Sequence, residues 1–255
     1  MRRRHFLAAT LSAPLLRGAP TLALRRRTDD GPRDDSMPFD AGKSALILCD
    51  MWDRHWCRGA NERLVPIIER ARPLLDAARA KRMVVIHAPS ETMDFYRDAP
   101  QRLAAIAVPK SAPPAPLNLA DPPLPVDSTG GGCDTGDSFE KAWRRQHAAI
   151  PIAPEDFVTD KGEEVYSILK LRGIDTLFVM GVHTNMCILN RSFAIKQMTK
   201  WGVRCVLVRD LTDAMYNPAN RPYVSHDDGT RLVVEYIERH WCPSTTSQDL
   251  IAALA

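Results

Sequence analysis

The chain has 255 residues, 45% hydrophobic and 25% charged, an ordinary balance for a globular protein and ample for one continuous core. Its formal charge of +3 misleads, because the first 27 residues hold seven arginines and no acidic residue, while the remainder carries 27 Lys and Arg against 31 Asp and Glu, a net −4. A basic face for nucleic acid is therefore not expected, and no apolar run is long enough to span a bilayer.

At the N-terminus, Arg3-Arg4-His5-Phe6-Leu7 and the modest apolar stretch to Leu16 have the pattern of a twin-arginine export signal. Residues 1–28 are expected to be that signal, which makes the protein periplasmic or secreted; a basic tail on a cytoplasmic protein is the alternative. Residues 29–40 continue a charged, Pro- and Gly-containing run that reads as a solvated linker. The folded domain is expected over 41–255.

Ser44 to Cys49 is a compact apolar run, as in a buried parallel strand, and it ends in Asp50. After an aromatic and polar loop (51–59), Asn61 is placed to cap a helix reaching about Arg82, with Leu64, Ile67, Ile68, Ala71, Leu74, Leu75 and Ala78 on one face and a kink at Pro73. Met83 to His87 reads as a second strand, which completes a βαβ unit and makes a parallel sheet the default. Regular patterning then breaks over about 100–150, where seven of the 20 prolines fall between Pro109 and Pro125 and three glycines follow at 130–132. This insertion is expected to lie over the active-site edge or to wrap a neighbouring subunit of a homo-oligomer.

Alternation resumes with a short strand at 157–159 ending in Asp160-Lys161, a helix over Glu163 to Arg172 capped by Gly173, and the strand Thr176 to Met180. Gly181 opens a turn that delivers Cys187 to a helix start, where the dipole and free amides lower a thiol pKa. A strand over Val203 to Val208, a helix from about Gly229 to Arg239, an edge strand near Thr245 and a closing helix to Leu254 complete the pattern. The order predicts a doubly wound α/β fold with a mainly parallel sheet of five or six strands and helices on both faces. No G-x-G-x-x-G follows the first strand, which disfavours a dinucleotide-binding domain. Asp50, Lys161 and Cys187 then share one sheet edge as acid/base group, cation and nucleophile.

Three stretches, ALILCDM (45–51), DFVTDK (156–161) and RGIDTL (172–177) continuing to GVHTNMC (181–187), resemble the isochorismatase-like cysteine hydrolases, which include nicotinamidases. The likeness covers roughly 43–99 and 150–250. It implies a three-layer α/β sandwich, Cys187 as nucleophile, Asp50 as its general base and Lys161 as the cation that orients the thiolate. It also implies a cis peptide at Val182–His183, with the backbone N–H groups of His183 and Cys187 facing a developing oxyanion. The implied reaction is hydrolysis of a small amide, imide or carbamoyl compound through a thioester, with no cofactor required. Trp52, His55, His87, Tyr96 and His183 are expected to line the substrate pocket. This sequence departs from the family in a short segment between Lys161 and Gly173, and in His183, which stands where a small residue is usual. In place of the nicotinamidase Asp-x-His metal motif it offers only His87, Glu91 and Asp94 as weak candidates for a divalent metal. A catalytically silent relative, kept as a binding or assembly module, is the alternative function. Cys57, Cys133 and Cys242 fall in loops and are candidates for a disulfide after export, whereas the two His-Trp-Cys triplets lack typical zinc spacing.

Overall fold

The computed structural model describes residues 20–255, so the twin-arginine motif lies outside the described residues. Eight strands form one sheet: β1 (Thr21–Thr28), β2 (Gly31–Pro38), β3 (Ser44–Cys49), β4 (Val84–Ala88), β5 (Phe157–Val158), β6 (Thr176–Val182), β7 (Arg204–Asp213) and β8 (Ser244–Thr245). Their spatial order is β2-β1-β8-β7-β6-β3-β4-β5. The run from β8 to β5 is parallel and β1 and β2 add an antiparallel hairpin. The parallel part accounts for the five or six strands expected, and the fold class is as the sequence predicts.

β3 and β6 are buried at every position. Both faces of these strands are covered, which is why they read as unbroken apolar runs rather than as alternating ones. Leu46, Leu48, Phe178 and Val206 face α1 (Arg58–Ala80) and α7 (Ser247–Leu254). Ala45, Ile47, Val179 and Leu207 face α3 (Gly162–Arg172), α4 (Cys187–Asn190), α5 (Ile195–Lys200) and α6 (His226–His240). The helix α1 runs through Pro66 and Pro73, both on its exposed side, where solvent satisfies the carbonyls that proline leaves without a partner. Asn61 does not cap it. Its side chain instead bonds the His55 N–H, the His55 carbonyl and the Cys57 carbonyl, tying down the preceding loop.

The stretch expected to be a signal end and a linker is structured. β1 and β2 pair over their full length, from Thr21 with Pro38 to Thr28 with Gly31, around a two-residue Asp29-Asp30 turn. Leu22 and Leu24 alternate into the α1/α7 core, and Arg25 meets the buried Glu238 at 2.9 Å. The charged side chains that suggest a linker are those of an edge hairpin, whose outer face is wet.

The insertion splits into two parts. Residues 108–127 cross the outer face of α5 and α6, where the Leu117 N–H bonds the Lys200 carbonyl and the Tyr236 hydroxyl bonds the Pro122 carbonyl. The insertion itself opens with α2 (Pro100–Ala107), ahead of this segment. Residues 129–146 return to the C-terminal edge of the sheet, where a Cys57–Cys133 disulfide fixes them to the loop after β3.

Candidate active site

The C-terminal ends of β3, β4 and β6 lie level, with Cys49 paired to both Ala88 and Gly181. That register brings Asp50, Ser90 and the 183–187 turn to one place. Gly181 is required there: its φ is 116° and a Cβ would lie 2.0 Å from the Cys49 carbonyl oxygen. Asp50 itself adopts a left-handed φ of 49°, uncommon for a residue with a side chain and concentrated at functional sites.

The Asp50 carboxylate is fully buried and its two oxygens are separately held. Oδ1 accepts the Ser90 backbone N–H at 2.7 Å, and Oδ2 accepts Arg191 Nε at 2.9 Å. The Cys187 thiol lies beside the same carboxylate, close enough for each to shift the other's titration. Burial pushes the Asp50 pKa up, and Arg191, Cys187 and Ser90 pull it back. The thiol is pushed well above its ordinary value, first by burial and then by the adjacent Asp50 charge; Arg191 and a hydrogen bond from the His183 backbone oppose the shift. The expected lowering by a helix start is thus outweighed, because α4 is a single turn of four residues and the half-buried thiol stands beside the Asp50 charge. A raised thiol pKa favours the protonated sulfur, beside the Asp50 carboxylate.

Lys161 does not join this group. Its ammonium is mostly exposed and pairs with Asp160 at 3.3 Å, because β5 ends at Val158 and Lys161 already caps α3 outside the sheet edge. It lines a separate cleft of about 820 Å³ with Ser192 and Trp201. The cation beside Asp50 is Arg191, whose N–H bonds the Cys187 carbonyl at 3.1 Å across the single turn of α4. Its outer nitrogens reach Glu91 Oε1 at 3.3 Å. An arginine four residues after the cysteine is the signal that marks it, since i and i+4 share a helix face.

The Val182–His183 peptide is cis, as the resemblance implies. The His183 ring is buried and stands edge-on to His55 at 4.8 Å between centroids. Burial lowers the pKa of His183 to about 3 and that of His55 to about 4, so both imidazoles are neutral at neutral pH. His55 Nδ1 accepts the Cys57 N–H at 3.1 Å, which leaves the proton on Nε2. Trp52 stacks on Trp143 from the insertion at 4.3 Å and 12°, and its indole N–H bonds the Ser90 carbonyl. Trp52, His55, His183 and Trp143 therefore form one aromatic wall.

His87 and Tyr96 belong to packing rather than to that wall. The His87 nitrogens lie 2.8 Å from Gln146 Oε1 and 3.0 Å from Asp156 Oδ2, and the Tyr96 hydroxyl accepts the Gln146 N–H at 2.9 Å. Both clamp the return of the insertion. With both ring nitrogens of His87 engaged, Glu91 turned to Arg191 and Asp94 on the surface with Arg97, the three weak metal candidates do not converge.

No family model and no curated protein matches this sequence. Among solved structures, the chain is similar to a cysteine hydrolase from Pseudomonas syringae pv. phaseolicola 1448A, at 19% identity over 86% of this chain and 95% of that one, with a TM-score of 0.55. It is also similar to an isochorismatase from Pseudomonas putida KT2440, at 14% identity over 84% and 93%, with a TM-score of 0.50. The chain has the isochorismatase-like fold. At these identities the likeness speaks for the architecture, and the chemistry rests on the residues at the sheet edge.

Proposed function

We propose that this chain is a cysteine hydrolase that cleaves a C–N bond in a small amide, imide or carbamoyl compound, with Arg191 as the cation of its catalytic group. The observation that carries this reading is the cluster at the sheet edge in which the buried Asp50 carboxylate bonds the Arg191 guanidinium and lies beside the Cys187 thiol. As sulfur attacks the carbonyl carbon, its proton passes to Asp50, and the oxyanion is met by the backbone N–H groups of His183 and Cys187. One such donor is worth about 2.7–4 kcal/mol in the transition state. Collapse breaks the C–N bond, and Asp50 returns the proton to the departing nitrogen. Water then attacks the thioester with Asp50 again as base, releasing the acid and restoring the thiol. Arg191 keeps Asp50 ionised before attack and balances the charge that moves between oxygen and sulfur.

Ammonia release from a panel of primary amides, ureides and N-carbamoyl compounds tests the proposal. Turnover that Cys187→Ala abolishes supports it; turnover that survives Cys187→Ala overturns it. The raised thiol pKa and the outward Lys161 favour a second reading, a silent binding module, which predicts saturable binding of such a compound with no release from the intact chain. We place the protein in an oxidising compartment, where the Cys57–Cys133 bond persists. Fractionation of expressing cells checks this, and retention of both wild type and an Arg3→Lys, Arg4→Lys variant in the cytoplasm argues against it.

A further inference from the structure

The Cys57–Cys133 bond joins the loop after β3 to the glycine-rich end of the insertion, with Cα atoms 5.7 Å apart. Oxygen donors crowd the two sulfurs. Asp134 Oδ1 is 3.7 Å from Cys57 Sγ, Asp137 Oδ2 is 3.8 Å from Cys133 Sγ, and Thr135 Oγ1 is 3.4 Å from each sulfur. One ligand atom each from Cys57, Cys133 and Asp134 fall within 4.8 Å of one another. Around tetrahedral zinc, bonds of about 2.3 Å to sulfur and about 2.0 Å to oxygen set sulfur–oxygen edges of about 3.5 Å and sulfur–sulfur edges of about 3.8 Å. The Asp134 carboxylate already stands close to such an edge. Arg63 holds it through two nitrogens, at 2.7 and 3.1 Å, which fixes its orientation as partners of metal-binding carboxylates do.

We propose that Cys57 and Cys133, once reduced, hold a zinc ion together with Asp134, leaving the fourth position to water. A dithiol reductant supplies two electrons and two protons to the S–S bond and leaves as its own disulfide; zinc then displaces the two thiol protons. The clasp is covalent in an oxidising compartment, where we place the protein, and metallic only where the chain meets reducing conditions. Either form holds the insertion against Trp56 and Met186, the residue before Cys187.

The intact protein, reduced with a phosphine that does not compete for zinc and freed of metal, is titrated with zinc against a chromophoric chelator beside the oxidised protein. One zinc per reduced chain is expected, bound at least about 100-fold more tightly than by the oxidised chain. Asp134→Asn should weaken it about 10-fold, and Cys187→Ser should leave it unchanged, which separates this site from the catalytic cysteine. Equal zinc binding by the reduced and oxidised chains, or loss of binding in a Cys187→Ser chain that circular dichroism shows to be folded, overturns the proposal. The oxidised wild type is the comparator that needs no substitution, so misfolding of a cysteine variant does not affect the outcome.

Discussion

Arg191 lies one turn after Cys187 and shares its carboxylate partner, so its removal changes the site in a direction that can be worked out. Burial raises the Asp50 pKa and Arg191 is the largest influence holding it down. Asp50 must be ionised to accept the thiol proton, so activity rises with pH through its pKa. Arg191→Gln should lower kcat/KM on the order of 100-fold and move the acid limb of the pH–rate profile to higher pH. Arg191→Lys should recover part of the rate with a limb nearer wild type. Lys161→Ala, by contrast, should change kcat/KM by less than about twofold, since its ammonium faces solvent and Asp160. Equal losses in the Arg191 and Lys161 variants would contradict the assignment. Asp50 and Cys187 were legible because each follows an apolar strand at the edge where chemistry gathers. Arg191 was not, because after Asn190 it reads as a solvated surface residue; its spacing acquires meaning only once a helical turn is known to begin at Cys187.

Among the elements, the β1–β2 hairpin is where charge pattern and structure part company. Eight of its residues from Arg25 to Asp35 are charged, and only Leu22 and Leu24 enter the core. Too few apolar positions alternate for a strand to stand out, although Asp30-Gly31 is a turn signal in plain view. The pairing of Arg25 with Ser244 makes the hairpin part of the sheet rather than a tether. Leu22 is fully buried beneath it, and Leu22→Ala should cost about 2.7–5 kcal/mol in urea-induced unfolding of the chain. A cost below about 1 kcal/mol would show that the hairpin is not integrated with the α1/α7 core. The central strands were legible for the opposite reason: burial on both faces leaves no polar position to obscure them.

At the scale of the whole molecule, the insertion is held by contacts that span the chain, and these have no local signature. Trp143 finds Trp52, Gln146 finds His87, and Asp134 enters a cluster with Arg63, Asp213 and His226 that joins the insertion to α1, β7 and α6. Prolines and glycines announce an irregular segment, but the partners just named lie from 59 to 92 residues away in sequence. The cluster gives the fold a pH dependence whose sign is fixed by its two titrating members. His226 Nε2 is 2.8 Å from Asp213 Oδ1, and this pairing raises the His226 pKa against the effect of burial. Its contribution is complete below the unfolded pKa of about 6.5 and is lost as pH rises through the higher folded value. Asp213 is shifted down, chiefly by His226 and Arg63, so its contribution is present above the unfolded pKa of about 3.9 and is lost only as pH falls through the lower folded one. Between these limits both charges are in place. Urea denaturation of wild type and His226→Gln across pH 5 to 9 should therefore show the largest stability gap near pH 5–6, closing progressively on the alkaline side. A gap that stays constant over that range would mean that the imidazole is neutral in the fold, with one N–H to donate to only one of Asp213 and the Tyr216 carbonyl.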